Sequence, residues 1–176
     1  MRFGWARAVA LTLVLATAAC GRGGADAAAD TAKAAAEAEF FLKSNAKKAG
    51  VVTRPSGLQY KIVQSGPASA VSPDGNDLVR VDYEGALTNG DIFDSSFEAG
   101  SPAVFSPDAV VAGWTEALQL MKAGDEWILY VPPALGYGPE GRPPVIPGNS
   151  VLVFRLKLLD VARTPGGGSG VGSANG

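Results

Sequence analysis

Between Val79 and Glu84, apolar Val79, Val81 and Tyr83 alternate with polar Arg80, Asp82 and Glu84. A period of two predicts a strand with one buried face and one wet face. Asn89-Gly90 follows, a strong hairpin signal because both residues accept positive φ. A turn centred there pairs Thr88 with Asp91, sets Tyr83 opposite Ser96, and leaves Asp94 diagonal to Tyr83 on the same face. Strict alternation then sends Phe93 to the other face. Leu58, Tyr60 and Ile62 alternate as an earlier core-facing strand, Phe105 marks a short strand, and Trp127, Leu129 and Val131 alternate before Pro132-Pro133 stops them. A last strand alternates Val151, Val153 and Arg155 with Leu152, Phe154 and Leu156. Only Val110–Met121 reads as a full helix of the domain, with Trp114, Ala117, Leu118 and Met121 at spacings of 3, 4 and 7.

The flanks differ in kind. Positive Arg2 and Arg7 precede an apolar run, Ala8–Ala19, too short to span a bilayer comfortably. It ends in Leu15-Ala16-Thr17-Ala18-Ala19-Cys20, which resembles a bacterial lipobox, departing from it at Thr17. Acylated Cys20 is one reading, a simple secretory signal cut after Ala-x-Ala the other. Residues 21–29 read as a small polar tether. Ala32–Lys48 reads as an alanine-rich helix capped by Asp30 or Thr31 and ended by Gly50, either a spacer docked lightly on the domain or a dimerisation helix. The expected division is a signal segment over 1–20, tether and helix over 21–56, a folded domain over 57–163, and a Gly/Ser-rich disordered tail over 164–176.

Composition narrows the chemistry. The 176 residues carry a net charge of −2, with no basic stripe to serve a nucleic acid. There is no histidine, which removes the commonest general base and metal ligand. A single cysteine excludes an internal disulfide and a multi-cysteine metal site. Neither a cofactor nor a metal is expected. The loop Ala134–Asn149 is long for a small domain, the kind of loop that is usually functional.

Val-x-Tyr-x-Gly-x-Leu-x-Asn-Gly-x-x-Phe-Asp-Ser-Ser over residues 81–96 resembles the signature of the FKBP-type peptidyl-prolyl isomerases. Val110-Val111-Ala112-Gly113-Trp114, Gly136-Tyr137-Gly138 and Val145–Phe154 agree with that family in order and spacing. The resemblance covers roughly residues 77–162 and points to the exported, lipoprotein-bearing bacterial branch. It implies an α+β fold, a twisted antiparallel sheet of about five strands wrapped around one short helix. It also implies rotation about Xaa-Pro bonds in proline-containing polypeptides, in the service of folding exported proteins in the periplasm, with macrolides of the FK506/rapamycin type as further ligands.

By the same resemblance Trp114 floors an aromatic cup walled by Tyr83, Phe93, Val110, Val111, Ile146 and Phe154. Asp94 is its polar rim, and the Tyr137 hydroxyl and Ile146 backbone N–H are donors to a substrate carbonyl. Ala103 departs from the phenylalanine many members carry at the pocket edge. Since alternation separates Phe93 from Asp94, a bulge or irregular backbone near Asp94–Phe97 is needed to bring both to one pocket. Two other readings stay open: a chaperone-like binding module with little turnover, and a structural envelope lipoprotein.

Overall fold

A computed structural model describes residues 22–165, so the signal segment, Cys20 and nearly all of the tail lie outside the described residues. Helix α1 (Arg22–Asn45) comes first. It begins well before the expected Ala32, so the stretch read as a tether is helical. Alanine loses no side-chain entropy in a helix and carries the coil through the small residues. It also stops before Lys48, and Gly50 lies beyond it in a turn at φ +80°.

Strands β1 (Val51–Thr53), β2 (Gln59–Gln64), β3 (Leu78–Leu87) and β4 (Ile92–Ser95) follow, then the one-turn α2 (Ser96–Ala99), β5 (Ala103–Phe105), α3 (Ala112–Leu120), β6 (Glu126–Val131) and β7 (Leu152–Ala162). All pairings are antiparallel. The order is β1-β2-β6-β7-β3-β4, with β5 alongside the first half of β3. The sheet has seven strands rather than about five: the three-residue β5 is the short strand marked by Phe105, and the three-residue β1 joins as well, too short to leave a pattern of its own.

The core lies on one side of the sheet, where Trp114, Ala117 and Leu118 of α3 cluster with Val79, Val81, Leu129, Phe154 and Leu156. Met121, just past the helix, is also fully buried. In β2 the expected inward row is kept only in part. Leu58, just before the strand, is buried, and Tyr60 stacks on Trp127 at 4.3 Å between centroids. Ile62 is 46% exposed, beside a register shift between Ile62 and Gln64 that carries the strand end off the core.

The other side of the sheet receives α1. Phe41 meets Tyr130 at 6.2 Å, and Gln59 Nε2 donates to the Leu42 carbonyl at 2.9 Å. Asn45 Nδ2 donates to Gln59 Oε1 at 3.0 Å with both residues buried. Nearer its start, Asn149 Nδ2 donates to the Thr31 carbonyl at 3.1 Å. The helix is thus held by polar groups at Thr31 and at its C-terminal end.

Candidate active site

The site is built on the β3–β4 hairpin, which departs from the simple count twice. Leu87 N–H donates to the Asp91 carbonyl at 2.9 Å and Gly90 N–H to the Leu87 carbonyl at 3.0 Å, with Gly90 at φ +95°. This is a three-residue loop closed by a positive-φ glycine, so Leu87, not Thr88, faces Asp91. Further on, Ala86 pairs with Ile92 but Gly85 pairs with Asp94, leaving Phe93 as the extra residue of a bulge. The bulge restores the offset: Glu84 faces Ser95, and the Tyr83 N–H donates to Ser96 Oγ at 2.9 Å. The expected irregularity therefore exists, at Phe93 rather than over Asp94–Phe97. It turns Phe93 and Asp94 to the same side, as bulges do beside sites.

Gly85 makes room for this arrangement. A Cβ on it would stand 2.6 Å from Phe154 Cε1 and 2.8 Å from Phe93 Cε2 and Cζ. Interior strand glycines mark such close approaches. Over the bare backbone Phe93 meets Phe154 edge to face at 5.6 Å. Trp114 at the start of α3, only 4% exposed, makes edge-to-face contacts with Phe154 at 5.1 Å, Tyr83 at 5.2 Å and Phe105 at 5.8 Å. These are the preferred geometries of aromatic quadrupoles, and together they hold the rings as a fixed cup.

The cup encloses a cavity of about 420 Å³ lined by Tyr83, Phe93, Asp94, Val110, Val111, Trp114, Tyr137 and Phe154, with Phe105, Ala109 and Arg142. Eight of the residues singled out from the sequence meet here. Ile146 does not line it. It lines an adjoining cavity of about 360 Å³ that shares Phe93, Asp94, Tyr137 and Arg142 with the first. Nor is its backbone N–H available to a substrate, because it donates to the Arg142 carbonyl at 3.0 Å. Ala103 pairs with Val81 and packs on the core. Phe105, two residues on, is the β5 residue that reaches the cavity.

Three residues of the lining escaped the sequence reading. Phe105 was placed on its strand but given no role, although its spacing from Ala103 puts it on the same face. Arg142 lies inside a Gly/Pro-rich loop where periodicity gives no direction. That loop is nevertheless well fixed. Arg142 and Ile146 exchange backbone hydrogen bonds of 2.7 and 3.0 Å, Gly141 N–H donates to the Tyr137 carbonyl at 3.0 Å, and Asn149 N–H to the Gly138 carbonyl at 2.9 Å. Ala109 ends a 3₁₀ turn, Pro107–Ala109, and no sequence signal distinguished it.

The polar groups are few. Tyr83 Oη donates to Asp94 Oδ2 at 2.8 Å. Burial, and then the Asp94 carboxylate beside it, pushes the Tyr83 hydroxyl up to about 12. Tyr83 therefore stays a neutral donor and serves Asp94 first. The Arg142 guanidinium lies over the Tyr137 ring at 5.9 Å from its centroid. The indole N–H of Trp114 is buried and has no hydrogen-bond partner among the described residues. No group of three or more Cys, Asp or Glu side chains suited to a metal occurs among the described residues. Such a lining can desolvate a small apolar ring and direct a few hydrogen bonds at its amide.

A family model described as FKBP-type peptidyl-prolyl cis-trans isomerase matches residues 69–159. Another, a domain amino terminal to FKBP-type peptidyl-prolyl isomerase, matches residues 16–62. The chain is 48% identical over 129 residues to the peptidyl-prolyl cis-trans isomerase Mip of Coxiella burnetii, covering 73% of this chain and 55% of that one. It is 44% identical over 128 residues to the outer membrane protein MIP of Legionella longbeachae, covering 73% and 54%. The chain thus spans about half the length of these curated relatives. Among solved structures, a peptidyl-prolyl cis-trans isomerase from Pseudomonas syringae superposes with a TM-score of 0.71 at 34% identity, covering 76% of this chain and 96% of that one.

Proposed function

Because the chain belongs to the FKBP-type peptidyl-prolyl cis-trans isomerase family, we propose that its cup binds a proline ring within a polypeptide and accelerates rotation about the preceding peptide bond. The observation that carries the reading is the cup itself, an aromatic cavity floored by Trp114 with a few fixed polar groups. The barrier to rotation, roughly 18–20 kcal/mol, comes from amide resonance. Twisting removes that resonance and leaves a less polar carbonyl, which water solvates less well than the planar form. A dry aromatic cup therefore favours the twisted amide over the ground state, which is what lowers a barrier. No nucleophile or proton shuttle is required.

Trp114, Tyr83, Phe93, Phe154, Val110 and Val111 hold the ring. Asp94, with Tyr83 hydrogen-bonded to it, stands at the rim beside the amide. Tyr137 presents its hydroxyl to a substrate carbonyl, since the Tyr83 hydroxyl is engaged by Asp94. The Ile146 N–H is likewise committed to the loop. Proline-containing segments of unfolded proteins are the substrates, and macrolides of the FK506/rapamycin type would compete for the same cup. We place the protein in the bacterial cell envelope, anchored by acylated Cys20; the outer-membrane name of a relative and the lipobox-like ending of the apolar run support this.

A direct assay on a Xaa-Pro tetrapeptide tests the activity. The parent should accelerate cis-to-trans relaxation. Tyr137→Phe should weaken it by about 0.5–1.5 kcal/mol, the worth of one hydrogen bond, and leave thermal stability in place. Parent protein without turnover on any such peptide returns the molecule to a binding or structural role.

A further inference from the structure

We propose that Arg142 makes this isomerase selective for an acidic side chain directly next to the substrate proline. This rests on the isomerase reading of the cup. The second cavity, about 360 Å³, adjoins the cup, shares Phe93, Asp94, Tyr137 and Arg142 with it, and is walled farther out by Val145 and Ile146. A residue adjoining the proline is displaced from it by about one extended repeat, ~3.3–3.6 Å, so one of the two neighbours of a cup-bound proline enters this space.

Two charged side chains face it, and they are not equally available. Asp94 already accepts the Tyr83 hydroxyl at 2.8 Å. The Arg142 guanidinium takes part in none of the ion pairs formed among the described residues. It rests over the face of the Tyr137 ring. Ring contact leaves the N–H edge of the guanidinium free for a carboxylate, which it suits by its planar fork of donors. Its backbone is fixed by the reciprocal bonds to Ile146 and by Gly141 at φ +64°, where a Cβ would stand 2.4 Å from the Ile146 carbonyl oxygen. The cation is thus held beside the substrate path and needs no loop rearrangement to act.

The experiment compares kcat/KM on two tetrapeptide series, with Glu, Gln or Lys immediately before the proline in one and immediately after it in the other. In one series the parent should favour Glu over Lys by about fivefold, the upper range for a solvent-accessible ion pair. Raising the salt concentration should shrink that preference. Arg142→Gln should bring the Glu/Lys ratio to one or below, since Asp94 then faces the cavity alone, Arg142→Glu should lower it further, and Arg142→Lys should retain part of the parent preference. Thermal melting of each variant verifies folding. A parent ratio near one in both series overturns the proposal while leaving the isomerase reading intact. So does a ratio that Arg142→Gln does not move. Failure of every peptide to turn over overturns the isomerase reading and this selectivity with it.

Discussion

Replacing Gly85 by alanine adds one methyl group at the point where two walls of the cup meet. The backbone there is not at positive φ, so the substitution brings no conformational strain of its own. The cost is contact. The new Cβ would lie 2.6 Å from Phe154 Cε1 and 2.8 Å from two atoms of Phe93, all belonging to stiff rings. Ordinary van der Waals separation begins near 3.4 Å, so each ring must retreat by more than half an ångström. Phe154 cannot retreat freely, because Trp114 stands edge-on to it at 5.1 Å. Overpacking of this kind costs about 1–3 kcal/mol. That lowers Tm by roughly 5–15 °C for a domain of this size, and isomerase activity should fall further than stability because the cavity wall itself has moved. Gly90→Ala is the control. Nothing lies within 4 Å of its Cβ, but φ is +95°, so it should cost about 1 kcal/mol through backbone strain and leave kcat/KM alone. Thermal melts and tetrapeptide isomerisation on both variants decide the matter. If Gly85→Ala melts with the parent and retains its kcat/KM, the close approach of the rings over Gly85 does not shape the cup.

Trp114→Ala should damage stability and activity together, by about 3–5 kcal/mol in stability, since it removes the floor and a large buried ring at once; denaturant unfolding beside the isomerase assay measures both. The Tyr83 hydroxyl, raised to about 12 from its ordinary 10, contributes stability that is fully present below pH 10 and is lost as the pH rises from there through 12. Melts between pH 9 and 12 should show that decline, and Tyr83→Phe should make it shallower, the remainder belonging to Tyr130, whose hydroxyl is also raised by burial. Asp77 lies at the opposite sign: hydrogen bonds from the Asp74 and Thr164 N–H groups hold its carboxyl below the usual range. Asp77→Asn should destabilise at neutral pH, and the gap to the parent should close as the pH falls below about 4. Cys20→Ala should release the protein from the membrane fraction, and unchanged fractionation of that variant would remove the lipid anchor from the proposal.

Most of the strands and the helix α3 were legible because burial on one face imposes a period on the chain. Trp114, Ala117, Leu118 and Met121 are buried as their spacing required. The pairing of Tyr83 with Ser96 was also foreseen, but through two miscounts that cancel. The turn holds three residues where two were counted, and the bulge at Phe93 returns the missing one. Gly85 was the available sign of that bulge, a glycine where the pattern wanted an inward side chain. Ile62 was misplaced because alternation assumes a regular strand to its end. The start of α1 was misplaced because the small residues read as a tether include Ala25, Ala27, Ala28 and Ala29, which are strong helix formers. Arg142 and the commitment of the Ile146 N–H were out of reach, since a loop fixed by its own backbone bonds leaves no periodic trace.

The side of β3 away from β7 has a consequence for solubility. Ten residues long, that strand is covered by β5 over its first half and by β4 beyond it, and α2 interrupts the border between them. The rim of the sheet on that side is therefore divided into segments of three and four residues, set off from one another by a helical turn. Exposed strand edges are templates on which other extended chains add, and short, broken edges resist this. A protein proposed to spend its time among unfolded polypeptides would gain most from such a border. It can offer them a cup for one ring without also offering a strand to polymerise on.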